Sequence, residues 1–312
     1  MPRFKIIVNP VAGRGEGEKA FPVIQKLLED LGLDFDMQRT EAPGHAIQLA
    51  EQAALEGWDV VTAVGGDGTA NEVLNGLARA RLNGDSQAAL GVITVGRGND
   101  FGFGVGIPPD IELACRSLAQ DQRRWLDVGC VRGGDYPQGR YFGNGVGIGF
   151  DAVVGFEALK LKRLHGFPSY IVAALKTIFL YFHAPTLQIE FNDQALLQPS
   201  LMVSIMNGRR MGGGFMMAPQ GKTDDGLFDL CIAGQVSRIG IFGLIPRFMQ
   251  GTQAGHPAIH TARAAKVTVT AVQGSLPAHA DGETLCTAGQ KLELEILPKM
   301  LQVIVPAEGA TA

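Results

Sequence analysis

Long apolar runs, paired cysteines and blocks of like charge are all scarce in this chain, and each scarcity removes a class of protein. The longest apolar stretch, Tyr170 to Phe182, is about a dozen residues and contains Lys176, short of the roughly 20 that a membrane-spanning helix needs. The four cysteines, Cys115, Cys130, Cys231 and Cys286, show no C-x-x-C spacing, which reads as a reduced, cytoplasmic protein without a zinc site. The 27 basic and 31 acidic residues leave a net charge of −4 and no global basic field, so nucleic acid is not an expected partner. Met1 leads into a strand rather than a basic region and apolar segment, so no secretory signal is expected. His45, His165, His183, His256, His260 and His279 lack metal spacing and are expected at the surface or in the core.

Glycine, by contrast, is plentiful: 42 of 312 residues, gathered at the ends of apolar runs where a loop must come close to a ligand. The stretch Val60 to Glu72 organises the rest. An apolar run of buried-strand character stops at Gly65-Gly66; Asp67-Gly68-Thr69 follows, and Val73, Leu74 and Leu77 then recur at helical spacing. A strand that delivers a glycine turn into a helix start places bare N–H groups and a helix N-terminus at one spot, a ready phosphate site. The pattern is neither G-x-G-x-x-G nor G-x-x-x-x-G-K-[ST], so neither a dinucleotide fingerprint nor a Walker loop is read. Asp67 would repel a phosphate there unless a cation or a hydroxyl proton lies between them, and Thr69 can supply a hydroxyl hydrogen bond.

Taken in order, Phe4 to Val8 is a strand feeding the loop Asn9 to Gly15, followed by a helix carrying Phe21, Ile24, Leu27 and Leu28. Asp34 to Thr40, Val60 to Val64 and Leu90 to Val95 are further strands, with helices between them, which predicts a parallel sheet covered on both faces. Ligands of such sheets sit at the carboxyl ends of the strands, where the loops Asn9 to Gly15, Thr40 to Gly44, Gly65 to Asn71 and Gly96 to Phe101 fall. Asn99 and Asp100 are read as caps for the helix that follows. After Gly133 to Pro137, a hairpin or boundary, the texture changes. Phe142 to Phe150 is a glycine-laced strand, Val153 to Leu164 is helical, and Pro168 opens an apolar helix through Phe182, read as core or as an interfacial lid. Strands then dominate: Thr186 to Phe191, Leu201 to Met206, Leu227 to Ala233, Lys266 to Val272, Lys291 to Leu297 and Leu301 to Val305. The fold class expected is a Rossmann-like parallel α/β nucleotide domain (1–132), an antiparallel β-sandwich (133–298), and a C-terminal strand and tail (299–312) that is free to return to the first domain.

With these pieces in order, the chain resembles the soluble bacterial diacylglycerol kinase family, related to the catalytic domains of sphingosine and ceramide kinases. The residues that carry the resemblance are Asn9 to Gly15, Gly65 to Glu72, Gly98-Asn99-Asp100-Phe101, Gly143 to Asp151, Gly212-Gly213-Gly214 leading to Pro219, Asp224 to Asp229, and Asp281-Gly282-Glu283. The glycine–aspartate loop alone is shared with NAD kinases and phosphofructokinases; the full ordered series is far more specific.

The resemblance implies a kinase that passes the γ-phosphoryl group of ATP, with Mg2+, to a hydroxyl of a membrane lipid, from a cleft between the two domains. Carried over by position, Asn9, Pro10, Val11, Ala12, Gly13, Thr40, Gly65, Gly66, Asp67, Gly68, Thr69, Ala70 and Asn71 would line the nucleotide. Asp67 would act through the magnesium. Asp281 and Glu283 fall on the acidic motif that supplies the general base, with the choice between them open. A structural magnesium would take the carbonyl of Lys222, the carboxylate of Asp225 and the carbonyl of Leu227, although Asp224-Asp225-Gly226 is equally a plain turn. Arg97 stands where the family's Gly-Thr-x-Asn-Asp motif has threonine, and a guanidinium there can clamp a phosphate bidentately. The expected partners are a lipid substrate and the inner face of the membrane, contacted peripherally, with a homodimer left open. The competing readings are a soluble-metabolite kinase of the NAD kinase type and a nucleotide- or lipid-binding regulator that has lost catalysis.

Overall fold

The computed structural model describes residues 1–84, 86–96, 98–160, 172–173, 175–178 and 184–307. Arg97, His165, His183, most of the expected helix at 168–182 and the tail 308–312 lie outside the described residues. The chain divides into two compact units, Met1–Val128 with Pro298–Ala312, and Gly129–Leu297.

In the first unit, β1 (Arg3–Val8), α1 (Glu16–Asp30), β2 (Asp34–Arg39), α2 (His45–Leu55), β3 (Val60–Gly65), α3 (Asp67–Gly84) and β4 (Ala89–Thr94) alternate, and α4 (Asp100–Val105) and α5 (Ile111–Gln120) follow. The strands are parallel in the order β4-β3-β1-β2, and Val303 of the chain's last strand pairs with Leu90 on the free side of β4, also parallel. Every residue of β3 and β4 is buried, as a parallel sheet covered on both faces requires. Successive side chains of β1 point to opposite faces. Phe4, Ile6 and Val8 join Ile24 and Leu28 of α1 and Leu118 of α5 in one cluster, while the equally buried Ile7 looks the other way.

The second unit contains the end of β5 (Arg123–Gly133), β6 (Tyr136–Phe142), β7 (Gly145–Gly149), α6 (Phe150–Lys160), β8 (Thr186–Phe191), β9 (Gln194–Met206), β10 (Phe228–Gly234), α7 (Arg238–Gln250), β11 (Ile259–Ala264), β12 (Lys266–Gln273), β13 (Leu276–Ala280), β14 (Glu283–Gly289) and the start of β15 (Lys291–Ile304). They form two antiparallel layers. One runs β9-β8-β12-β15, and the other runs β14-β13-β7-β9-β10-β11. β9 serves both: residues to Pro199 pair with β8, and Ser200 onward pairs with β7 and β10. Between the layers lie Val146, Ile148, Val203 and Ile205 with Leu187, Ile189, Val267 and Val269, and Phe142 stacks on Phe228 at 5.6 Å. The fold is therefore the α/β unit plus antiparallel sandwich that the patterning predicts.

Gly133 to Tyr136 closes the β5–β6 hairpin, one of the two readings offered for that stretch. Two details differ from the sequence reading. The strands expected at Lys291 and Leu301 are one continuous strand through Pro298. The span read as strands alone contains α7, capped by Ser237, whose hydroxyl accepts from the Gly240 N–H at 3.1 Å.

Candidate active site

In the first unit the loops after β1, β3 and β4 converge at the carboxyl ends of the strands. Asn9 Nδ2 donates to Thr69 Oγ1 at 3.0 Å, joining the first loop to the start of α3. The Val11 N–H donates to Asn9 Oδ1 at 3.2 Å, which turns Pro10-Val11 outward into a helical turn over Ala12–Arg14. Gly13 comes so near the end of β4 that a Cβ on it would lie 2.4 Å from the Val95 carbonyl. A Cβ on Gly96 would lie 2.5 Å from the Cα of Gly66, so two glycine turns meet backbone to backbone. Thr40 is hydrogen-bonded through its N–H to Val8 O at 2.8 Å, beside the same edge. The expected residues Asn9, Gly13, Thr40, Gly65, Gly66, Asp67, Gly68 and Thr69 are thus brought to one end of one sheet.

Their exposures separate two jobs. Gly66, Asp67 and Gly68 keep access to solvent, whereas Thr69, Ala70 and Asn71 are buried. Asn71 Oδ1 accepts from Asn75 Nδ2 at 3.2 Å inside α3, and Thr69 braces the Asn9 loop. What faces outward is the first turn of α3, whose N–H groups precede the helical ladder and carry the positive end of the helix dipole. Glu72 turns to a neighbour instead: its two oxygens accept from the N–H groups of Gly44 (2.8 Å) and Ala46 (3.1 Å), capping α2.

Asp67 has two connections. Its Oδ1 accepts from the Phe101 N–H at 2.9 Å, capping α4 from outside that helix. Its Oδ2 and that of Asp100 lie 3.0 and 3.6 Å from where a Cβ on Gly98 would be, so both carboxylates front the same glycine. Of the two expected caps of α4, Asn99 occupies the N-cap position with a left-handed φ of 51° and makes no side-chain cap bond. A pair of acids beside a helix N-terminus is an all-oxygen donor set of the kind that holds Mg2+ through one or two carboxylates plus phosphate oxygens. The residues present fit that ion.

In the second unit β13 and β14 are joined by the two residues Asp281 and Gly282, with φ of 47° and 85°. Positive φ at both centres is the type I′ geometry that Asp-Gly favours between twisted strands. Asp281 is 6% exposed, and its carboxylate accepts three backbone N–H bonds, from Gly143 (2.8 Å), Asn144 (3.0 Å) and Gly145 (2.9 Å). Glu283, the first residue of β14, is half-buried.

Against α6, β9 and α7 lies an apolar cavity lined by Phe150, Val154, Leu201, Met202, Phe215 and Phe248 among others, with Asp151 as its acidic lining residue. Asp151 Oδ2 is buried without a hydrogen-bond partner, 3.6 Å from His279 Nε2, and His279 Nδ1 is likewise buried and unpartnered. Gly147 makes room for the pair, since a Cβ there would lie 2.2 Å from Asp151 Oδ2 and 2.6 Å from His279 Nε2. The sequence reading quoted Asp151 only within a motif and placed His279 among the unremarkable histidines; the signal available was its position two residues before Asp281.

The set Lys222, Asp225 and Leu227 does not fit a preformed cation site. The Asp225 carboxylate is paired with the Arg263 guanidinium, its Oδ1 accepts from the Leu227 N–H at 3.3 Å, and Arg263 Nε lies 3.4 Å from Asp229 Oδ1. The Asp225 carboxylate thus already has a cationic partner. Burial holds the Asp229 carboxyl above the usual carboxylate range, opposed by Arg263 and reinforced by Asp225. Among the described residues no cluster of three or more His, Cys, Asp or Glu side chains converges as a metal site, and no helix is long and apolar enough to cross a membrane.

Comparison with known proteins agrees with the fold. The diacylglycerol kinase catalytic domain family matches residues 3–131, and the YegS C-terminal NAD kinase beta sandwich-like domain matches residues 144–305. Diacylglycerol kinase of Bacillus subtilis (strain 168) is 32% identical over 316 aligned positions, covering 99% of this chain and 98% of the relative. A crystal structure of a diacylglycerol kinase from Bacillus anthracis superposes with a TM-score of 0.73 at 20% identity, over 98% of this chain and 97% of that one. An NAD kinase from Archaeoglobus fulgidus, solved with ATP, gives 0.54 at 12% identity over 98% and 94%, a likeness of fold alone. The chain belongs to the diacylglycerol kinase family of phosphotransferases.

Proposed function

We propose that this protein is an ATP-dependent lipid kinase that phosphorylates a hydroxyl of diacylglycerol or a related membrane lipid, working peripherally at the inner face of the membrane. The observation that carries the lipid reading is the apolar cavity of the second unit, with the unpartnered Asp151 and His279 atoms beside it. An apolar lining with a few polar groups suits an acyl chain ending in an oxygen-rich head, and buried polar atoms lacking partners call for one.

Phosphoryl transfer asks the protein for positioning and charge neutralisation more than for covalent chemistry. In this reading the first turn of α3 and the glycine turns at Gly66 and Gly96 hold the phosphates of ATP through backbone N–H groups. Asp67 and Asp100 would hold Mg2+, which would supply neutralisation of the phosphate charge. Asp67 is pinned by the Phe101 N–H through one oxygen, and its second oxygen fronts Gly98, as the Asp100 carboxylate does. Glu283 takes the proton from the lipid hydroxyl as general base. Asp281 is unsuited to that task because both of its oxygens are engaged by backbone donors; its work is to hold the Gly143–Gly145 loop against the β13–β14 turn. Asp151 and His279 meet the polar end of the acceptor.

The test is transfer of labelled phosphate from ATP to diacylglycerol, phosphatidylglycerol and a sphingoid base in mixed micelles, with NAD as a parallel acceptor. Label in at least one lipid and none in NAD is expected. Label in NAD alone would replace the proposal with the soluble-metabolite reading, and ATP binding without turnover on any acceptor would replace it with the regulator.

A further inference from the structure

Helix α7 is apolar on two sides. Ile241, Leu244 and Phe248 are buried, and all three line the cavity of the second unit. On the opposite side Ile239 is 84% exposed, Phe242 42% and Met249 43%. At about 100° per residue, Met249, Phe242, Pro246 and Ile239 fall within an outward arc about 80° wide. Arg238 lies about 20° beyond one edge of that arc and Arg247 about 80° beyond the other, and no acidic residue occurs from Val236 to Gln250. The described residues of the segment at 172–178 add to the same region: Ala173 and Ile178 pack in the cluster that holds Ile241, Leu244 and Phe248, while Val172 and Leu175 are 38% and 37% exposed. A surface helix ordinarily turns polar residues to water, and exposed apolar patches rimmed by charge mark a contact site.

We propose that the outward face of α7 docks on a bilayer containing anionic lipid, laying Ile239, Phe242 and Met249 among the upper acyl chains and Arg238 and Arg247 against phosphate-bearing head groups. The inference rests on the lipid-kinase reading and gives its membrane contact a location. The charge pattern favours a bilayer over a second copy of the chain: an isologous contact would bring arginine-edged faces together with no acid on either, whereas anionic lipid complements them directly. The same helix forms a wall of the apolar cavity, so a docked α7 separates the bilayer from the cavity by one helix thickness.

The experiment is co-sedimentation of the full chain with phosphatidylcholine vesicles, with and without about a third phosphatidylglycerol. It is run for wild type, for Ile239→Glu with Phe242→Glu, and for Arg238→Gln with Arg247→Gln. Wild type is expected on the anionic vesicles. The glutamate pair should weaken that binding at least about tenfold, and the glutamine pair should remove most of the preference for phosphatidylglycerol. Phosphorylation of a water-soluble short-chain diacylglycerol should stay within about twofold of wild type in both, showing that the fold and site are intact. Vesicle binding unchanged by the substitutions overturns the docking face. So does a concentration-dependent dimer in sedimentation equilibrium that the same substitutions dissolve, which would assign the face to a second copy. Vesicle binding lost in the variants, in a protein that phosphorylates no lipid, supports the docking face and overturns the acceptor assignment instead.

Discussion

Replacing Asp281 and Glu283 separately distinguishes a residue that holds the site from one that acts in it. Asp281 is 6% exposed and receives N–H bonds of 2.8, 3.0 and 2.9 Å from three consecutive residues more than a hundred positions away. Hydrogen bonds to a charged group contribute about 1.5–3 kcal/mol each, and the penalty for stranding a buried donor is of similar size. In Asp281→Asn one oxygen can still serve Asn144 and Gly145, but the amide NH2 then faces the Gly143 N–H, donor against donor. Loss of the charge and of one bond should cost about 2–3 kcal/mol. Asp281→Ala strands all three donors and should cost about 3–5 kcal/mol, less than the simple sum because the loop relaxes and water enters. For a unit of this size a kilocalorie moves the midpoint by about 2–4 °C, so the alanine variant should melt about 10 °C lower by calorimetry. Glu283→Gln should melt with wild type while kcat on a lipid acceptor falls by about 10²–10⁴, the range expected for loss of a general base. An Asp281→Ala midpoint within about 1 °C of wild type would refute the clamp. A folded Asp281→Asn enzyme without turnover, beside a Glu283→Gln enzyme with normal kcat, would return the base to Asp281.

Three further outcomes follow from the same geometry. Glu72→Ala removes the acceptor for the Gly44 and Ala46 N–H groups and should lower stability by about 1–2 kcal/mol, with kcat changed only a few-fold; an inactive variant of unchanged melting temperature would contradict the capping role. Gly147→Ala forces a methyl to within 2.2 Å of Asp151 Oδ2 and should cost about 1–3 kcal/mol, raising the KM for the lipid acceptor while leaving that for ATP unchanged; equal KM shifts would refute the acceptor role of Asp151. Asp229 sits above its ordinary value because of burial, so the folded state binds its proton more tightly than the unfolded state. Its contribution to stability is full below the unfolded value near 3.8 and is lost as pH rises through the folded value. Asp229→Asn should therefore be the more stable protein in urea at pH 7, with the advantage closing as pH falls toward 4; an advantage independent of pH would refute the assignment.

The first unit was legible because its period changes abruptly. A wholly buried β3 ending at Gly65-Gly66 and a helix spacing beginning at Val73 leave few alternatives. The sandwich was read in pieces because proline marks the places where its long strands change partners. β9 passes Pro199 as it leaves β8 for β7 and β10, and β15 passes Pro298 between its pairing with β12 and with β4. A sequence reading takes such prolines as breaks, whereas here they sit where a ladder ends. α7 was hidden by Gly240, Gly243 and Pro246, which lower helix propensity enough to mask the spacing of Ile241, Leu244 and Phe248. At the site, the Asp-Gly turn could be read locally. The three donors that hold Asp281, and the two that Glu72 caps, come from positions no local pattern connects.

The motif that first drew attention therefore carries two kinds of residue. Asn9, Thr69, Asn71 and Glu72 are polar, and all four hold elements together: a loop to a helix, one helical turn to the next, one helix to another. Gly66, Asp67 and Gly68 keep access to solvent and are the ones the proposed function assigns to the ligand. This division has a physical cause. A phosphate site made of backbone N–H groups works only if the turn carrying them keeps its shape when several negative charges arrive, and glycine turns do not hold their own shape. The rigidity must come from neighbours whose hydrogen bonds close on the turn from outside. Asp67 belongs to both groups, fixed by the Phe101 N–H through one oxygen while the other fronts Gly98. The acid proposed above to manage the nucleotide's charge is thus also a cap of the next helix, so its direction is set before any ligand binds.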